Sequence, residues 1–237
     1  MNSIKQIEVI YNNRLVGRLA LTREGLCAFE YSAEWLSSGF SISPFELPLR
    51  SGVFIAKPRP FEGGFGVFDD CLPDGWGLLI LDRYLQQKGI NPRTLTLLDR
   101  LALVGSTGRG ALEFRPDNSV VTRQDFADFE KLALEAEKIL ASDDYMGEGI
   151  EEFQDRGGSP GGARPKIFVR YNDKEWLVKF RAKRDSQSIG VDEYRYSLLA
   201  KECGIEMPET RLFEGKYFGV ERFDRTLGGK LHVVSVA

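Results

Sequence analysis

Apolar and polar positions alternate through residues 7–11 and again through 14–21, with Asn12-Asn13 between them. A period of two predicts two strands, and asparagine tolerates the positive φ of a tight hairpin turn. Residues 26–31 supply a third strand. After Pro73-Asp74-Gly75 the period changes: Trp76, Leu79, Ile80, Tyr84 and Leu85 recur at helical spacing and stop at Gly89, shortly before Pro92. A second helix is predicted over 94–104, and a short strand over 111–114. Residues 124–141 read as an amphipathic helix with Phe126, Phe129, Leu132, Leu134, Ala136, Ile139 and Leu140 on its apolar side.

The second half opens on RGGSPGGARPKIFVRY, four glycines and two prolines running into an apolar strand at 166–171. Asn172-Asp173 is a turn, and 175–180 is the return strand of a hairpin. Alternation puts Trp176, Val178 and Phe180 on one face and Leu177 and Lys179 on the other. A lysine within an apolar strand is either an edge-strand residue standing in water or one that meets an anion. VDEYRYSLLAKECGI then predicts a helix closing at Gly204, with Pro208 beyond. Its expected inward side carries Tyr196, Leu199, Ala200 and Cys203, with Glu193 on the same side one turn earlier. Such a carboxylate is either an ordinary first-turn glutamate or a partner for a lysine on a neighbouring strand. Residues 210–214 and 216–221 predict a further hairpin turning at Gly215. The fold class is therefore α+β: sheet and helices in a first domain at 1–119, then a sheet with a helix in a second at 120–237, divided in the polar stretch PDNSVVTR.

Composition adds exclusions. The 237 residues are 42% hydrophobic and 28% charged, as in ordinary globular proteins, and no apolar run approaches a membrane span. The N-terminus has no secretory pattern. Three separated cysteines fit neither a disulfide framework nor a zinc site, so the cytoplasm is expected. A net charge of -3 suggests neither a nucleic-acid nor a membrane partner, but its distribution is uneven. Residues 125–155 hold eleven acidic residues against two lysines, whereas 156–184 hold nine basic residues against two acidic ones. The second segment is either a solvated face or one that meets an anion. Gly105-Ser106-Thr107-Gly108-Arg109-Gly110 lacks the Gly-Lys-Ser/Thr ending and a following helix, which makes it a structural turn rather than a phosphate loop. The single histidine, His232, has no catalytic partner spacing and reads as structural.

Glycine loop, hairpin, strand lysine, helix glutamate, hairpin and connecting segment follow one another in the order of a protein kinase's smaller lobe. Glycines let backbone N–H groups approach phosphate oxygens, the lysine neutralises phosphate charge, and the glutamate holds the lysine. The chain also resembles the HipA kinases of bacterial toxin–antitoxin systems, almost end to end. SPFELPL, FDDCLPDGWGLLILDR and LDRLALVGSTGRGALEF resemble that family's N-terminal domain. SPGGARPKIFV, EWLVKF, DEYRYSLLAKECGI and GVERFDR resemble the start of its kinase domain.

Carried over by position, the resemblance implies that Gly161, Gly162, Ala163, Arg164 and Lys166 belong to an ATP-phosphate loop. Arg164 stands where some relatives have glutamine. Lys179 would bind phosphate with Glu193 as its helix partner. Glu221 would border adenine by its backbone and Phe223 by its ring. Ser159 matches a loop serine that such kinases phosphorylate on themselves, placing a dianion beside Arg156 and Arg164 and favouring an ejected loop. Magnesium would accompany ATP in the complete kinase. The family's catalytic-loop and metal-binding residues lie in a larger helical lobe beyond KLHVVSVA, so no catalytic residue is assigned here. Two functions are expected in the alternative: the ATP-binding portion of a HipA-like protein serine/threonine kinase, or a non-catalytic interaction module such as the leading piece of a split kinase. The implied partners are a HipB-like DNA-binding antitoxin or a complementary kinase lobe, with a translation protein as substrate. A chain of this kind is expected to expose apolar residues between Tyr217 and Val236.

Overall fold

A computed structural model describes residues 4–120, 127–157 and 161–235. Its elements run β1 (Gln6–Tyr11), β2 (Arg14–Leu21), β3 (Cys27–Tyr31), α1 (Ala33–Ser38), β4 (Val53–Ile55), α2 (Gly66–Asp69), α3 (Gly75–Gln87), α4 (Leu97–Val104) and β5 (Leu112–Arg115). They continue with α5 (Phe129–Ala141), α6 (Gly149–Gly157), β6 (Lys166–Tyr171), β7 (Lys174–Lys179), α7 (Ile189–Glu202), β8 (Thr210–Phe213), β9 (Tyr217–Glu221), β10 (Arg225–Thr226) and β11 (Gly229–Lys230). The protein is α+β, with antiparallel sheets throughout.

Two compact units share these elements, and neither is continuous in sequence. One comprises Met1–Pro73, Asn91–Val120 and Asp224–Ala237; the other Asp74–Ile90 and Val121–Phe223. The polar stretch at 116–124 therefore separates most of the two halves, but two segments cross over. Helix α3 belongs to the second unit because Trp76 and Ile80 are buried in that unit's core. Residues 224–235 belong to the first, where their backbone and charges are anchored.

The first unit is a five-stranded sheet in the order β4-β3-β2-β1-β5. Asn12 and Asn13 adopt φ of 46° and 62°, the left-handed pair that a two-residue hairpin requires. Phe29, Trp35, Phe68, Leu98 and Phe114 are fully buried in its core. Ser32 caps α1 by accepting from the Trp35 N–H, and Thr96 with Asp99 forms a reciprocal capping box at α4. The turn after α4 is held by the crossing segment. Asp224 Oδ2 accepts from Gly110 N at 2.8 Å; Arg225 donates to the carbonyls of Gly108 (2.8 Å) and Gly110 (2.9 Å); Lys230 donates to Ser106 O (2.6 Å). These polar groups of the glycine-rich turn are used internally, which is the structural role its sequence suggests. His232 is likewise structural: Nε2 lies 2.8 Å from Ile42 O, and burial lowers its pKa.

The second unit is a four-stranded sheet, β6-β7-β9-β8. Asn172 and Asp173 turn β6 into β7 at φ of 50° and 59°, and Glu214 and Gly215 turn β8 into β9 at 50° and 69°. Ile167, Val169, Trp176, Val178 and Phe180 are buried on one face of the sheet and join Trp76, Phe129, Phe153 and Phe213 in one core. Arg83, buried on α3, donates from Nη1 to Ile139 O at 2.8 Å, satisfying a carbonyl in the last turn of α5. Helix α5 begins after Asp128, which accepts from Lys131 N; residues 124–126 of the expected helix lie outside the described residues. Leu134, expected on its apolar side, is instead 56% exposed.

Helix α7 corrects a second expectation. Tyr196 is 72% exposed, Leu199 51%, and Cys203 is also exposed, so these residues do not face inward. The inward stripe is Gly190, Glu193 and Ser197, spaced i, i+3 and i+7. A Cβ at Gly190 would stand 2.0 Å from Lys216 O, and the buried Ser197 donates to Tyr194 O at 2.7 Å and pairs with Thr210 Oγ1 at 2.9 Å. Small residues there let the helix backbone lie against β8 and β9, and the bulky apolar side chains are left outward.

Candidate anion-binding site in the second unit

The site starts from strand register. Lys166 of β6 sits directly opposite Lys179 of β7, so both ammonium groups project from the sheet face away from the aromatic core. Two like charges at facing positions repel unless carboxylates or anions lie close by. Glu193 is one such group. Placed on the inward stripe of α7, it accepts from Lys179 Nζ at 3.1 Å through Oε2. The Lys179 ammonium also lies 5.2 Å from the Phe218 ring centre, so an aromatic face backs the cation.

Arg164 enters from the glycine loop. Its Nη1 donates to Glu193 Oε1 at 2.5 Å, while Nε and Nη2 form a two-pronged pair with Asp185 at 2.9 and 3.0 Å. Asp185 is fixed by its own turn: Oδ2 accepts from Ala182 N at 2.9 Å. These contacts with Arg164 and Ala182 hold the Asp185 carboxyl below its usual range despite burial that works the other way.

Lys166 faces inward to the loop. Buried, it donates to Gly161 O at 2.7 Å and Gly162 O at 2.8 Å. Burial pushes its pKa down to about 8, and the charge of the facing Lys179 pushes in the same direction. The loop is held from the other side by the N-terminus of α3. Asp74 Oδ1 accepts from Gly162 N, and Trp76 N donates to Gly162 O at 3.1 Å. That approach requires Gly75: its φ is 44°, and a Cβ there would stand 2.7 Å from the Gly162 carbonyl carbon.

Of the residues singled out from sequence, Arg164, Lys179 and Glu193 are thus in direct contact, and Lys166 is bonded to Gly161 and Gly162. Ala163 is exposed beside them. Glu221 and Phe223 belong to β9 and its end, apart from that ion cluster: the Glu221 carboxylate pairs with Lys174 at 2.8 Å, its N–H donates to Glu209 O at 2.8 Å, and Phe223 is 60% exposed. Ser159 lies outside the described residues. Asp74 and Asp185 were missed from sequence. The signal for Asp74 was its place before Gly75 at a helix start, where a carboxylate ordinarily caps its own helix; here it caps the loop instead.

Donor accounting defines what the cluster can hold. Arg164 has five N–H donors, three of them used by carboxylates; Lys179 and Lys166 have three each, of which one and two respectively are used. Three cations with donors to spare, beside a glycine-rich backbone, suit a multiply charged anion.

Residues 7–115 match the HipA N-terminal domain, and residues 158–237 match the HipA-like C-terminal domain. Among curated proteins nothing matches the chain. With both halves matched in order, this chain belongs to the HipA family of toxin–antitoxin proteins.

Proposed function

We propose that the second unit binds ATP by its phosphates, and that the chain is the ATP-binding portion of a HipA-type protein serine/threonine kinase. The observation that carries this reading is the 3.1 Å pair between Lys179 of β7 and Glu193 of α7, flanked by a glycine loop whose lysine and arginine converge on the same region. In phosphoryl transfer a lysine so braced neutralises phosphate charge without being free to swing away. ATP itself supplies the transferable phosphoryl group. The chain's part is to orient it: Arg164, Lys166 and Lys179 offer donors to its oxygens, while the Glu221 carbonyl and the Phe223 ring are the proposed neighbours of adenine. No residue of this chain is assigned to magnesium, because the resemblance puts its ligands in the family's larger helical lobe. Ser159 remains the proposed site of self-phosphorylation.

Among the described residues no helix is long and apolar enough to cross a membrane. A cytoplasmic site of action rests on the separated cysteines and the N-terminal sequence, whereas a HipB-like antitoxin or complementary lobe as partner and a translation protein as substrate rest on the family resemblance. The second reading, a non-catalytic interaction module, is favoured by the outward Tyr196, Leu199 and Ile205 of the α7 region and by the exposed Leu227 and Leu231.

Calorimetric titration of ATP into the 237-residue chain and its Lys179→Ala variant tests the main reading. Loss of one charge-assisted phosphate contact should weaken binding by about tenfold or more. Equal affinity would remove Lys179 from the site. Phosphoryl transfer to a generic acceptor protein by this chain alone would overturn the assignment of no catalytic residue to it.

A further inference from the structure

Glu193 has two cations competing for one carboxylate. Arg164 takes Oε1 at 2.5 Å and Lys179 takes Oε2 at 3.1 Å. A guanidinium prefers to meet a carboxylate with two parallel N–H donors, and the fork of Arg164 formed by Nε and Nη2 would take both Glu193 oxygens if it were free to turn. It is not free, because that fork is filled by Asp185. Asp185 in turn stands in the loop directly after β7, fastened by the Ala182 N–H only three residues after Lys179.

We infer that Asp185 is a positioning residue: by holding the fork of Arg164 it keeps Glu193 shared, so that Lys179 stays braced for the phosphates of ATP. This rests on the ATP-site reading above. Asp185 touches no phosphate in this scheme. Its influence passes through Arg164 to Glu193 and then to Lys179. Removing its charge lets Arg164 close on Glu193 with two bonds and displace the lysine. With Arg164 absent, Asp185 has nothing to restrain, and its own removal becomes neutral for binding.

The test is a double-mutant cycle on the full chain, with ATP as the probe, calorimetry as the readout and a melting curve for each variant. Asp185→Asn keeps an acceptor for Ala182 N–H but loses the charge, and should weaken ATP binding by about tenfold, the equivalent of about 1.4 kcal/mol. In an Arg164→Gln background the same change should alter affinity less than about twofold. A purely structural role would give equal losses in both backgrounds, which would overturn the inference, as would full affinity in Asp185→Asn alone. If Asp185→Asn lowers the melting temperature, Asp185→Ser, whose hydroxyl can also accept from Ala182, carries the same expectations. Lys179→Ala serves as the control: no effect there refutes the ATP site itself, whereas an effect there with none in Asp185→Asn refutes only the role of Asp185.

Discussion

Lys166 gives ATP binding a pH dependence that can be worked out from its surroundings. The side chain is buried, faces Lys179 across the hairpin, and has its pKa lowered to about 8 by burial first and by that neighbouring charge second. If its ammonium meets a phosphate, only the protonated fraction of the free protein is competent. That fraction falls from about nine-tenths near pH 7 to about one-tenth near pH 9, so apparent affinity should fall roughly tenfold over the interval. The last phosphate proton leaves near pH 6, below this window, so the ligand's charge is nearly constant. Titrations of ATP at constant ionic strength, in half-unit steps of pH, should show the inflection near 8 for the wild type and a flat profile for Lys166→Gln. A flat wild-type profile, or the same inflection in the variant, would refute the reasoning. Stability should respond in the opposite sense. A lysine pKa depressed by folding means the unfolded chain holds the proton more tightly between about 8 and the ordinary lysine value near 10.5, so stability rises with pH across that window. Cys27 and Cys71, whose thiols burial raises to about 11 and about 12, act against this above about pH 9, since they stay protonated only in the folded state. The quantity to compare is therefore the difference between wild type and Lys166→Gln.

Two further outcomes follow from the packing. Gly75→Ala places a Cβ 2.7 Å from the Gly162 carbonyl carbon at a φ of 44°; it should destabilise the chain by about 1–3 kcal/mol and speed hydrogen exchange at the Gly162 amide, and unchanged exchange would show that the loop does not rest on α3. A thiol reagent should label the exposed Cys203 at once and the buried Cys27 and Cys71 only in denaturant, as peptide mass spectrometry would report.

Much of the local architecture was legible in the sequence because it depends on short-range chemistry. Asn12-Asn13 and Asn172-Asp173 announced their hairpins, since few other residues accept positive φ in succession. A lysine in an apolar strand and a carboxylate on the following helix leave the Lys179–Glu193 contact as one of two readings, and the family resemblance is what points to the pair that the structure contains. Helix α6 is not legible in the sequence: six of its nine residues are polar or glycine besides the one basic residue, and only Ile150 and Phe153 fix it to the core, through tertiary contacts that periodicity cannot register. The orientation of α7 was misread because size, not polarity, selects its inward stripe. Gly190 and Ser197 face the sheet where a hydrophobicity pattern would choose Tyr196 and Leu199. Asp185 escaped notice because its partner, Arg164, lies twenty-one positions away and nothing local links them.

The crossing of segments between the units has a consequence for biosynthesis. A ribosome releases β1 through β5 long before residues 224–230, yet Asp224, Arg225 and Lys230 supply part of what holds the Ser106–Gly110 backbone. The nascent first unit lacks those contacts, its polar groups hydrated, until residues 224–230 have also been translated. Dissecting the protein by a single cut near residue 120 would therefore yield an amino-terminal fragment lacking its own fastener and a carboxy-terminal one stripped of α3, so the two pieces are better produced together than apart.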